Sequence, residues 1–363
     1  MLCTLRYANI VMNKQNDISE RILEWYKRNQ RNLPWRKTKD PYFILVSEMM
    51  LQQTQVETVI PYYHRFITQF PTIEILARAS LQEVLKAWEN LGYYARARHL
   101  HLAAKEMIER TGGVIPDNEE ELVSLPGIGS YTAAAILSIA FGRRVPAVDG
   151  NVRRVLCRLF AIRSPLEETK TQKRIHKLAA DLVPVKASLY NQGIMDLGAT
   201  ICTPRNPACV RCPVHKSCLA FEKDLQETLP VTRKRGPLPH KQMTAGILCN
   251  THDKLLIVQR PAKGLLGGLW KFPGGEKSTE MSLQKSLEKV IQMELGIEVR
   301  VGEKIAAVKH AYTHFRITLY AFRCTLRGGA PKALNCHNWQ WSDPQNLADF
   351  PFSKAERKIM AFL

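Results

Sequence analysis

The chain contains 363 residues, of which 45% are hydrophobic and 23% are charged, and this balance excludes a disordered or fibrous protein. An excess of 52 Lys and Arg residues over 33 Asp and Glu residues gives a formal net charge of +19, which favours a polyanionic partner such as nucleic acid. The longest apolar run, residues 133–141, is far shorter than the roughly 20 residues of a membrane-spanning helix. The N-terminus also lacks the apolar stretch of a secretion signal, so we expect a cytoplasmic protein without a membrane partner.

Helical periodicity dominates residues 1–225. Apolar residues recur at intervals of three and four in several segments, namely residues 22–26, 43–63, 81–88, 97–108, 131–141 and 152–160. Proline and glycine residues separate these segments, as they commonly do between helices. The first 225 residues are therefore predicted to form an all-α domain.

The composition changes after this helical region. Residues 226–241 are charged, contain prolines and have no periodicity, which predicts an interdomain linker. Residues 242–363 then have a mixed pattern. Strands are predicted at residues 244–249 and 254–259, paired around an Asn-Thr-His-Asp turn, and at 298–301 and 315–324, with a helix at 281–295. The second domain is therefore predicted to be α+β.

Four cysteines lie close together near the end of the helical region: Cys202, Cys209, Cys212 and Cys218. Disulfides are disfavoured, because thiols stay reduced in the expected compartment. Structural zinc sites usually use two short cysteine pairs separated by a longer spacer. The uneven C-x6-C-x2-C-x5-C spacing in one compact loop instead favours a [4Fe-4S] cluster held by all four thiolates.

A Gly-x-Gly turn precedes a second candidate feature, an aspartate at the start of a helix. Gly127 and Gly129 allow a sharp turn and leave N–H groups accessible at a helix N-terminus, which suits a phosphate oxygen. Asp149 comes directly before Gly150 and a helical run, so it is predicted to cap that helix. The positive end of the helix would stabilise its ionised form, as needed to stabilise a positively charged sugar.

Glu48 is the second candidate carboxylate. It lies in the apolar stretch ILVSEMML, where loss of water should raise its pKa and keep it protonated, as a general acid requires. The alternative is a solvated helix face, which Gln52 and Gln55 would share at helical spacing.

The order of a glycine hairpin, an aspartate that starts a helix and a four-cysteine loop resembles the helix-hairpin-helix DNA glycosylases of the endonuclease III superfamily. The segments LPWRKTKDPYFILVSEMMLQQTQVETVIPYY, LGYYARARHLH and YNQGIMDLGATIC are similar to its MutY branch, the adenine DNA glycosylases, and the resemblance covers almost the whole chain. It implies an enzyme of base excision repair that hydrolyses the N-glycosidic bond of adenine mispaired with 8-oxoguanine or guanine. It also implies a monomer that acts on double-stranded DNA in a bacterial-type, nucleoid-containing cytoplasm.

The resemblance also implies catalytic roles. Glu48 would protonate the leaving adenine, and Asp149 would stabilise or trap the anomeric carbon with support from Tyr131 and Asn151. Related bifunctional glycosylases have a lysine in place of Tyr131 and use its amine to form a Schiff base that leads to strand cleavage. A phenol cannot do this, so we expect a monofunctional enzyme that leaves an abasic site, without strong lyase activity.

Other residues are implied to contact DNA. The target base must leave the duplex, and this costs a few kcal/mol of unstacking that inserted side chains help to offset. By the resemblance, Gln53, Leu91 and Tyr93 fill or open the base stack. Trp35 and Arg36 in LPWR line the adenine pocket by the same comparison.

The segment from Gly275 resembles the Nudix box, G-x5-E-x7-R-E-U-x-E-E-x-G-U, whose glutamates bind a metal ion. The positions that fit are Gly275, Glu294, Gly296 and Ile297, whereas Met281, Val290 and Met293 fill acidic positions and Lys289 replaces the arginine. One carboxylate does not hold a hard divalent cation that prefers several oxygen ligands. We therefore expect a Nudix-like fold without pyrophosphate hydrolysis.

The same resemblance assigns lesion recognition to this domain. Tyr312, Thr313 and His314 match a turn that often reads Phe-Ser-His in the family and would recognise 8-oxoguanine opposite the adenine. The alternative is an ordinary polar turn between two strands.

Three other functions are compatible with parts of the sequence. A superfamily glycosylase of other base specificity is disfavoured by the Nudix-like domain and by the absence of the hairpin lysine. A non-enzymatic protein that binds damaged DNA is disfavoured by the presence of both Glu48 and Asp149. A nucleotide pyrophosphatase is disfavoured by the degraded Nudix box.

Overall fold

The computed structural model describes residues 2–233 and 236–363, with side chains from residue 15 onward. The chain forms two compact units, of which one comprises Met1–Ile67, Thr72–Glu74 and Ala103–Arg235 and the other comprises Thr68–Pro71, Ile75–Leu102 and Gly236–Leu363. The linker expected at residues 226–241 stays a prediction. Within the described ranges, no helix is long and apolar enough to cross a membrane.

Helices make up most of the chain up to residue 222. In chain order they are α1 (Leu2–Asn29), α2 (Pro41–Leu51), α3 (Val56–Gln69), α4 (Ile73–Arg78), α5 (Leu81–Ala87), α6 (Ala95–Thr111), α7 (Glu119–Ser124), α8 (Ser130–Ile139), α9 (Gly150–Leu159), α10 (Thr169–Leu182), α11 (Ala187–Thr200) and α12 (Leu219–Glu222). Short 3-10 turns occur at Pro34–Arg36, Cys209–Arg211 and His215–Ser217. The prediction of an all-α region is confirmed.

Helix α11 is central to the first unit and packs against α1, α8 and α9. Gly193 permits the close approach of α1, because a Cβ at this position would lie only 3.0 Å from the Cβ of Tyr26. The cysteine-bearing segment, residues 202–218, packs against the same core. Buried side chains of this core include Ile22, Leu156 and Ile194.

The helical segment predicted at residues 43–63 is interrupted. Helix α2 ends at Leu51, and a turn closed by the Thr54 N–H and the Leu51 carbonyl precedes α3. Gln53 adopts the left-handed conformation (φ 57°) in this turn and is exposed. The apolar spacing continues across the break, which is why periodicity alone predicted one helix.

The second unit contains two three-stranded sheets. Its described strands are β1 (His240–Leu248), β2 (Leu255–Gln259), β3 (Trp270–Lys271), β4 (Glu298–Ala311), β5 (Arg316–Gly328) and β6 (Asn338–Ser342), with helices α13 (Leu283–Leu295) and α14 (Lys354–Met360). Strand β5 lies between β1, which runs parallel to it, and the antiparallel β4. Strand β2 lies between β3 and β6, both antiparallel to it. The prediction of an α+β region is confirmed.

Two hydrophobic clusters hold these elements together. One contains Ile257 of β2 and Phe352 beside α14, and the other contains Leu256 of β2, Phe322 of β5 and Ile291 of α13. Adjacent residues of β2 thus point to opposite faces, as expected for a strand that is buried on both sides.

The predicted pairing of the first two strands is confined to the residues beside the turn. The turn is present, because Asn250 Oδ1 accepts hydrogen bonds from the N–H groups of His252 and Lys254, and Cys249 and Leu255 form an antiparallel bridge next to it. Beyond this bridge, β1 pairs along its length with β5, and β2 pairs with β3 and β6. Both strands are apolar on both faces, so their sequences are compatible with several partners and do not specify a hairpin.

Candidate active site

A cavity of about 670 Å³ in the first unit brings together most of the predicted catalytic residues. The end of α2, the turn before α8 and the start of α9 all contribute to its wall. The predicted residues that line it are Trp35, Arg36, Glu48, Gln53, Gly127, Gly129, Tyr131, Asp149 and Asn151. The predicted residues Leu91, Tyr93, Tyr312, Thr313 and His314 belong to the second unit. The volume of the cavity is in the range of ligand pockets.

Glu48 is a buried carboxyl group in this cavity. It lies on α2, is 5% exposed, and accepts a hydrogen bond at Oε2 from the Tyr131 hydroxyl (2.8 Å). Burial raises the pKa of Glu48 to about 7, although the Tyr131 hydrogen bond opposes this rise. The predicted elevation is confirmed, and the burial excludes a solvated helix face. Near neutral pH, Glu48 can therefore carry the proton that a general acid donates.

Asp149 caps α9, as its sequence context predicted. Its Oδ1 accepts a hydrogen bond from the Val152 N–H (2.7 Å), and its Oδ2 accepts one from Asn151 Nδ2 (2.9 Å). The expected electrostatic balance is different, however. Burial raises the pKa of Asp149, and the hydrogen bonds from Val152 and Asn151 only partly oppose the rise. Loss of hydration therefore outweighs the helix N-terminus at this carboxylate.

The two supporting residues are divided between the two carboxyl groups. Asn151 donates to Asp149, as expected, but the Tyr131 hydroxyl donates to Glu48. Burial and the nearby Glu48 keep the pKa of Tyr131 well above its ordinary value, so its hydroxyl stays protonated and remains a donor. Tyr131 therefore acts on the proposed acid.

Arg154 is a site residue that sequence reasoning missed. Its Nη2 donates to Asn151 Oδ1 (2.8 Å) and to the Gly198 carbonyl (2.7 Å), and its Nε donates to the Cys202 carbonyl (2.8 Å). Arg154 thus links the residue that holds Asp149 to the first cysteine of the loop. The three-residue spacing of Asn151 and Arg154 on a helix was the available signal, because it places both on one face.

Asp196 is a second residue that the sequence did not reveal. It is fully buried, and it accepts hydrogen bonds from Arg36 (Nη1 to Oδ2, 2.5 Å) and Arg31 (Nε to Oδ1, 2.7 Å). Burial raises the pKa of Asp196, but the guanidinium groups of Arg36 and Arg31 lower it more, so the net direction is downward. Arg36 thus binds a protein carboxylate, while the adjacent Trp35 packs edge-to-face against Tyr63 at 5.4 Å.

The glycine hairpin connects α7 to α8. Gly127 has a positive φ of 77°, a conformation that glycine adopts without steric cost because it has no Cβ. This confirms its predicted role in the turn. Gly129 is the N-cap of α8 with a φ of −90°, and a Cβ at this position would meet nothing within 4 Å. The N-terminus of α8 therefore has room for an anion at its N–H groups.

The four cysteines of the loop surround a small cavity in the first unit. All four are free thiols, and Arg158, Ile201 and Phe221 also line the space. Arg158 Nη1 donates to Cys202 Sγ (3.3 Å). Within residues 2–233 and 236–363, no three His, Cys, Asp or Glu side chains converge closely enough to hold a single metal ion.

Tyr312 is fixed in place at the turn between β4 and β5. Its ring lies 4.7 Å from that of His310 and 5.0 Å from that of Phe315, and its hydroxyl is hydrogen-bonded to Ser353. Burial raises the pKa of the Tyr312 phenol. Tyr312 therefore anchors the turn.

Thr313 and His314 are the exposed residues of this turn. The Thr313 hydroxyl is hydrogen-bonded to the hydroxyl of Tyr93, which follows α5 in the same unit. Tyr93 is 36% exposed, whereas Leu91 is only 6% exposed. The structure thus brings three of the predicted DNA-contacting residues to one exposed region, while Leu91 is buried.

The remaining glutamate of the Nudix box is bound by a lysine. Lys271 Nζ lies 2.8 Å from Glu294 Oε1 and also donates to the Gly274 carbonyl, and Glu294 Oε2 accepts from the Gly274 N–H (3.2 Å). Gly296 ends α13 in the left-handed conformation (φ 70°). The Lys271 side chain therefore lies where a metal ion bound by Glu294 would have to lie.

Comparisons with known proteins agree with both parts of the fold. The model of the HhH-GPD superfamily base excision DNA repair proteins matches residues 46–201, and that of the NUDIX domain matches residues 244–362. The adenine DNA glycosylase of Homo sapiens is 33% identical over 93% of this chain and 72% of its own length. That of Buchnera aphidicola subsp. Schizaphis graminum is 32% identical over 94% of this chain and 97% of its own length.

The chain belongs to the adenine DNA glycosylase family.

Solved structures support the fold of this adenine DNA glycosylase family member. A thermostable thymine-DNA glycosylase is 33% identical, and the match covers 58% of this chain and 98% of that protein with a TM-score of 0.53. An endonuclease III in a non-covalent DNA complex is 22% identical over 62% of this chain and 99% of its own, with a TM-score of 0.50. Family membership and the two domain matches together make the chain a DNA glycosylase of base excision repair, with an HhH-GPD domain and a Nudix domain.

Proposed function

We propose that this chain hydrolyses the N-glycosidic bond of adenine mispaired with 8-oxoguanine or guanine and leaves an abasic site. The observation that carries the proposal is a pair of carboxyl groups in the wall of one cavity, the buried Glu48 and the partly exposed Asp149. Each has its own hydrogen-bond donor, Tyr131 for Glu48 and Asn151 for Asp149. Glycoside hydrolysis requires two carboxyl groups in different roles, one that donates a proton and one that stabilises the sugar cation.

The proposed chemistry assigns a separate step to each group. Glu48 donates its proton to a ring nitrogen of adenine, and the electrons of the C1′–N bond pass to the departing base. The carboxylate of Asp149 stabilises the positive charge that develops on the sugar. A water oxygen then bonds to C1′, and its proton returns to Glu48. Because no amine occupies the position of Tyr131, the backbone is left uncut.

A direct assay tests base specificity and strand cleavage together. Single-turnover reactions use duplexes in which adenine lies opposite 8-oxoguanine, guanine, cytosine or thymine, and each product is analysed with and without alkali. We expect fast release opposite 8-oxoguanine and guanine, with strand breaks only after alkali. Preferential release opposite thymine, or strand breaks without alkali at the rate of base release, would contradict the proposal.

We further propose that Thr313 and His314 read the lesion. The 8-oxo group and the N7 hydrogen distinguish 8-oxoguanine from guanine, so a small number of polar groups is sufficient for recognition. The Thr313 hydroxyl and the His314 imidazole are exposed on a turn that Tyr312 anchors, which supports this assignment. Because such contacts are worth about 1 to 3 kcal/mol, Thr313→Ala with His314→Ala should reduce the preference for 8-oxoguanine over guanine roughly tenfold or more.

The measurement is the ratio of single-turnover rates on A:8-oxoguanine and A:guanine duplexes at one salt concentration. Thr325→Ala is the matched control, because Thr325 is an exposed threonine of β5 in the same unit. A double variant that keeps the wild-type ratio would show that the lesion is read elsewhere.

We also propose that Cys202, Cys209, Cys212 and Cys218 hold a [4Fe-4S] cluster. Four free thiols around one space, with the Arg158 guanidinium beside Cys202, fit the thiolate ligands of such a cluster. When bound, the cluster would cross-link the loop whose Cys202 carbonyl holds Arg154. Purified protein should contain about four iron and four sulfide ions per chain. Stoichiometric zinc without sulfide would contradict this.

The setting of this activity is also a proposal. We infer that the chain acts as a monomer on double-stranded DNA in a bacterial-type cytoplasm, close to the nucleoid. The net charge of +19 supports a partner with a phosphate backbone, and the free thiols fit a reducing compartment.

A further inference from the structure

The loop between α5 and α6, residues 88–94, has an unusual backbone. Asn90 (φ 72°), Gly92 (φ 79°) and Tyr93 (φ 48°) all adopt positive φ values. Asn90 and Tyr93 carry side chains, for which this region is unfavourable, and for the bulky Tyr93 it is especially so. Such a conformation persists only where surrounding contacts determine it.

Some of these contacts come from within the loop and from the start of α6. Trp88 Nε1 and Arg96 Nη2 each donate to the Gly92 carbonyl at 3.1 Å. The Arg96 guanidinium lies over the rings of Trp88 (5.5 Å) and Tyr93 (5.3 Å), and the Asn90 N–H donates to the Tyr94 hydroxyl (3.0 Å). These contacts fix the loop against its own helices.

A second set comes from the C-terminal segment, residues 347–357, which lies in the same unit. Glu89 Oε1 accepts hydrogen bonds from the Phe352 N–H (3.1 Å) and from Arg357 Nε (2.6 Å). The Tyr94 hydroxyl donates to the Phe352 carbonyl (3.5 Å). The Glu89 side chain is only 10% exposed, so this ion pair is shielded from water.

Arg357 is itself held in position from several sides. Its Nη1 donates to the Leu347 carbonyl (2.9 Å), its Nη2 donates to the Phe350 carbonyl (2.5 Å), and its guanidinium lies 5.2 Å from the centre of the Phe352 ring. A guanidinium fixed by so many contacts can hold a carboxylate in one place.

We propose that Arg357 is a positioning residue for extrusion of the target base. Through Glu89 it holds loop 88–94 in the left-handed conformation that presents Tyr93. This inference rests on the proposed function and on the role predicted for Tyr93 from the sequence, that of a residue which enters the base stack. Every adenine mispair requires base extrusion, so Arg357 acts on A:guanine as much as on A:8-oxoguanine.

The test compares Arg357→Met, which keeps much of the packing on Phe352, with Arg323→Met. Arg323 is a suitable control because its ion pair with Glu303 is 71% exposed on the arginine side. Single-turnover rates are measured on A:8-oxoguanine and A:guanine duplexes. The fluorescence of a 2-aminopurine placed beside the target adenine reports unstacking on binding. Arg357→Met should lower both rates roughly tenfold, because small displacements outside the reacting groups have effects of this size.

The ratio of the two rates should stay within about twofold, and the fluorescence rise on binding should shrink, because a disordered loop inserts poorly. Glu89→Gln, which keeps an acceptor for the Phe352 N–H, should give the same pattern and carries the test if Arg357→Met does not fold. The proposal would be overturned by unchanged rates or by a rate loss confined to the A:8-oxoguanine duplex. It would also be overturned by slower adenine release with the full rise in 2-aminopurine fluorescence. If the wild type releases no adenine, the proposed function fails, whereas the fluorescence still tests the role of Arg357.

Discussion

At the scale of single residues, burial is the main cause of the raised pKa of Glu48. Its removal from water raises its pKa to about 7, and the Tyr131 hydrogen bond pulls the value down. Tyr131→Phe removes the interaction that favours the carboxylate, so the pKa of Glu48 should rise further. The alkaline limb of the pH profile for single-turnover adenine release should then move upward by about one pH unit.

Single-turnover rates of adenine release by the wild type and Tyr131→Phe, measured from about pH 5 to about pH 9 with saturating duplex, define this limb for each protein. An unmoved limb, or one that moves to lower pH, would show that the Tyr131 hydroxyl does not tune the acid.

The same pKa shift predicts a pH-dependent stability. The folded chain holds the Glu48 proton more tightly than an unfolded chain, whose carboxyl group has an ordinary value of 4.5. The stabilisation is complete below about pH 4.5 and is lost as the pH rises through about 7. Glutamine has no such proton, so the stability of Glu48→Gln relative to wild type should increase across this window, by an amount that approaches roughly 3 kcal/mol.

Urea unfolding of both proteins at acidic and mildly alkaline pH measures this difference, since the other titrating groups are common to both. Free energies of unfolding that change in parallel with pH would contradict a raised pKa at Glu48.

The two carboxyl groups show how far sequence reasoning reaches at this scale. The apolar neighbours of Glu48 in the chain were sufficient to predict its raised pKa, because they lie on the same buried helix. For Asp149 the sequence revealed the helix cap and therefore the favourable hydrogen bonds. It could not reveal that distant segments partly cover the carboxylate, and this loss of hydration reverses the direction of the pKa shift.

At the scale of elements, the contact between α9 and α11 determines where Asp149 sits. Gly198 of α11 faces Asn151, and a Cβ at position 198 would lie 2.6 Å from the Asn151 Cβ. Gly198→Ala must therefore displace the first turn of α9, and Asp149 with it. We expect adenine release to slow more than roughly tenfold, because the reacting geometry tolerates little displacement.

Gly193→Ala provides a control on the same helix, because Gly193 faces Tyr26 of α1. It should lower the melting temperature, while the folded protein keeps a rate within about twofold of wild type. Equal rate losses in both variants would mean that Gly198 acts only through general stability.

The elements themselves were partly predictable. Periodicity indicated most helices, but it could not show the break at Gln53, where apolar spacing continues across a turn. The turn residues between β1 and β2 predicted a hairpin, because a short connection of this kind is usual in hairpins, but the two strands meet only at the Cys249–Leu255 bridge. Which partner each doubly buried strand finds depends on residues far along the chain, such as Arg316–Gly328.

At the scale of the whole molecule, residues 75–102 belong with the C-terminal residues in one compact unit. Gln82 Oε1 accepts a hydrogen bond from Trp270 Nε1 (2.9 Å), and Arg98 Nη1 donates to the Gly267 carbonyl (2.9 Å). The sequence shows that α5 and α6 have apolar faces, but an apolar face does not specify its partner. The association of these helices with the Nudix domain could therefore not be predicted.

Truncation after Thr228 should consequently do more than remove the residues proposed to read the lesion. It would remove the partners of Gln82, Glu89 and Arg98 and so destabilise the helices that carry Tyr93. We expect the melting temperature to fall and the release of adenine from A:guanine duplexes to slow, as well as the preference for 8-oxoguanine to disappear. A truncated chain with wild-type stability and an undiminished A:guanine rate would contradict this.

The most direct test of the whole account is adenine release from an A:8-oxoguanine duplex by Glu48→Gln and Asp149→Asn under single-turnover conditions. Both variants keep the shape of the cavity but remove the donated proton or the negative charge. Each should therefore lower the rate by roughly a hundredfold or more and bind the duplex within a few-fold of wild type. A rate within tenfold of wild type in either variant, with duplex bound, would show that the chemistry does not depend on these two carboxyl groups.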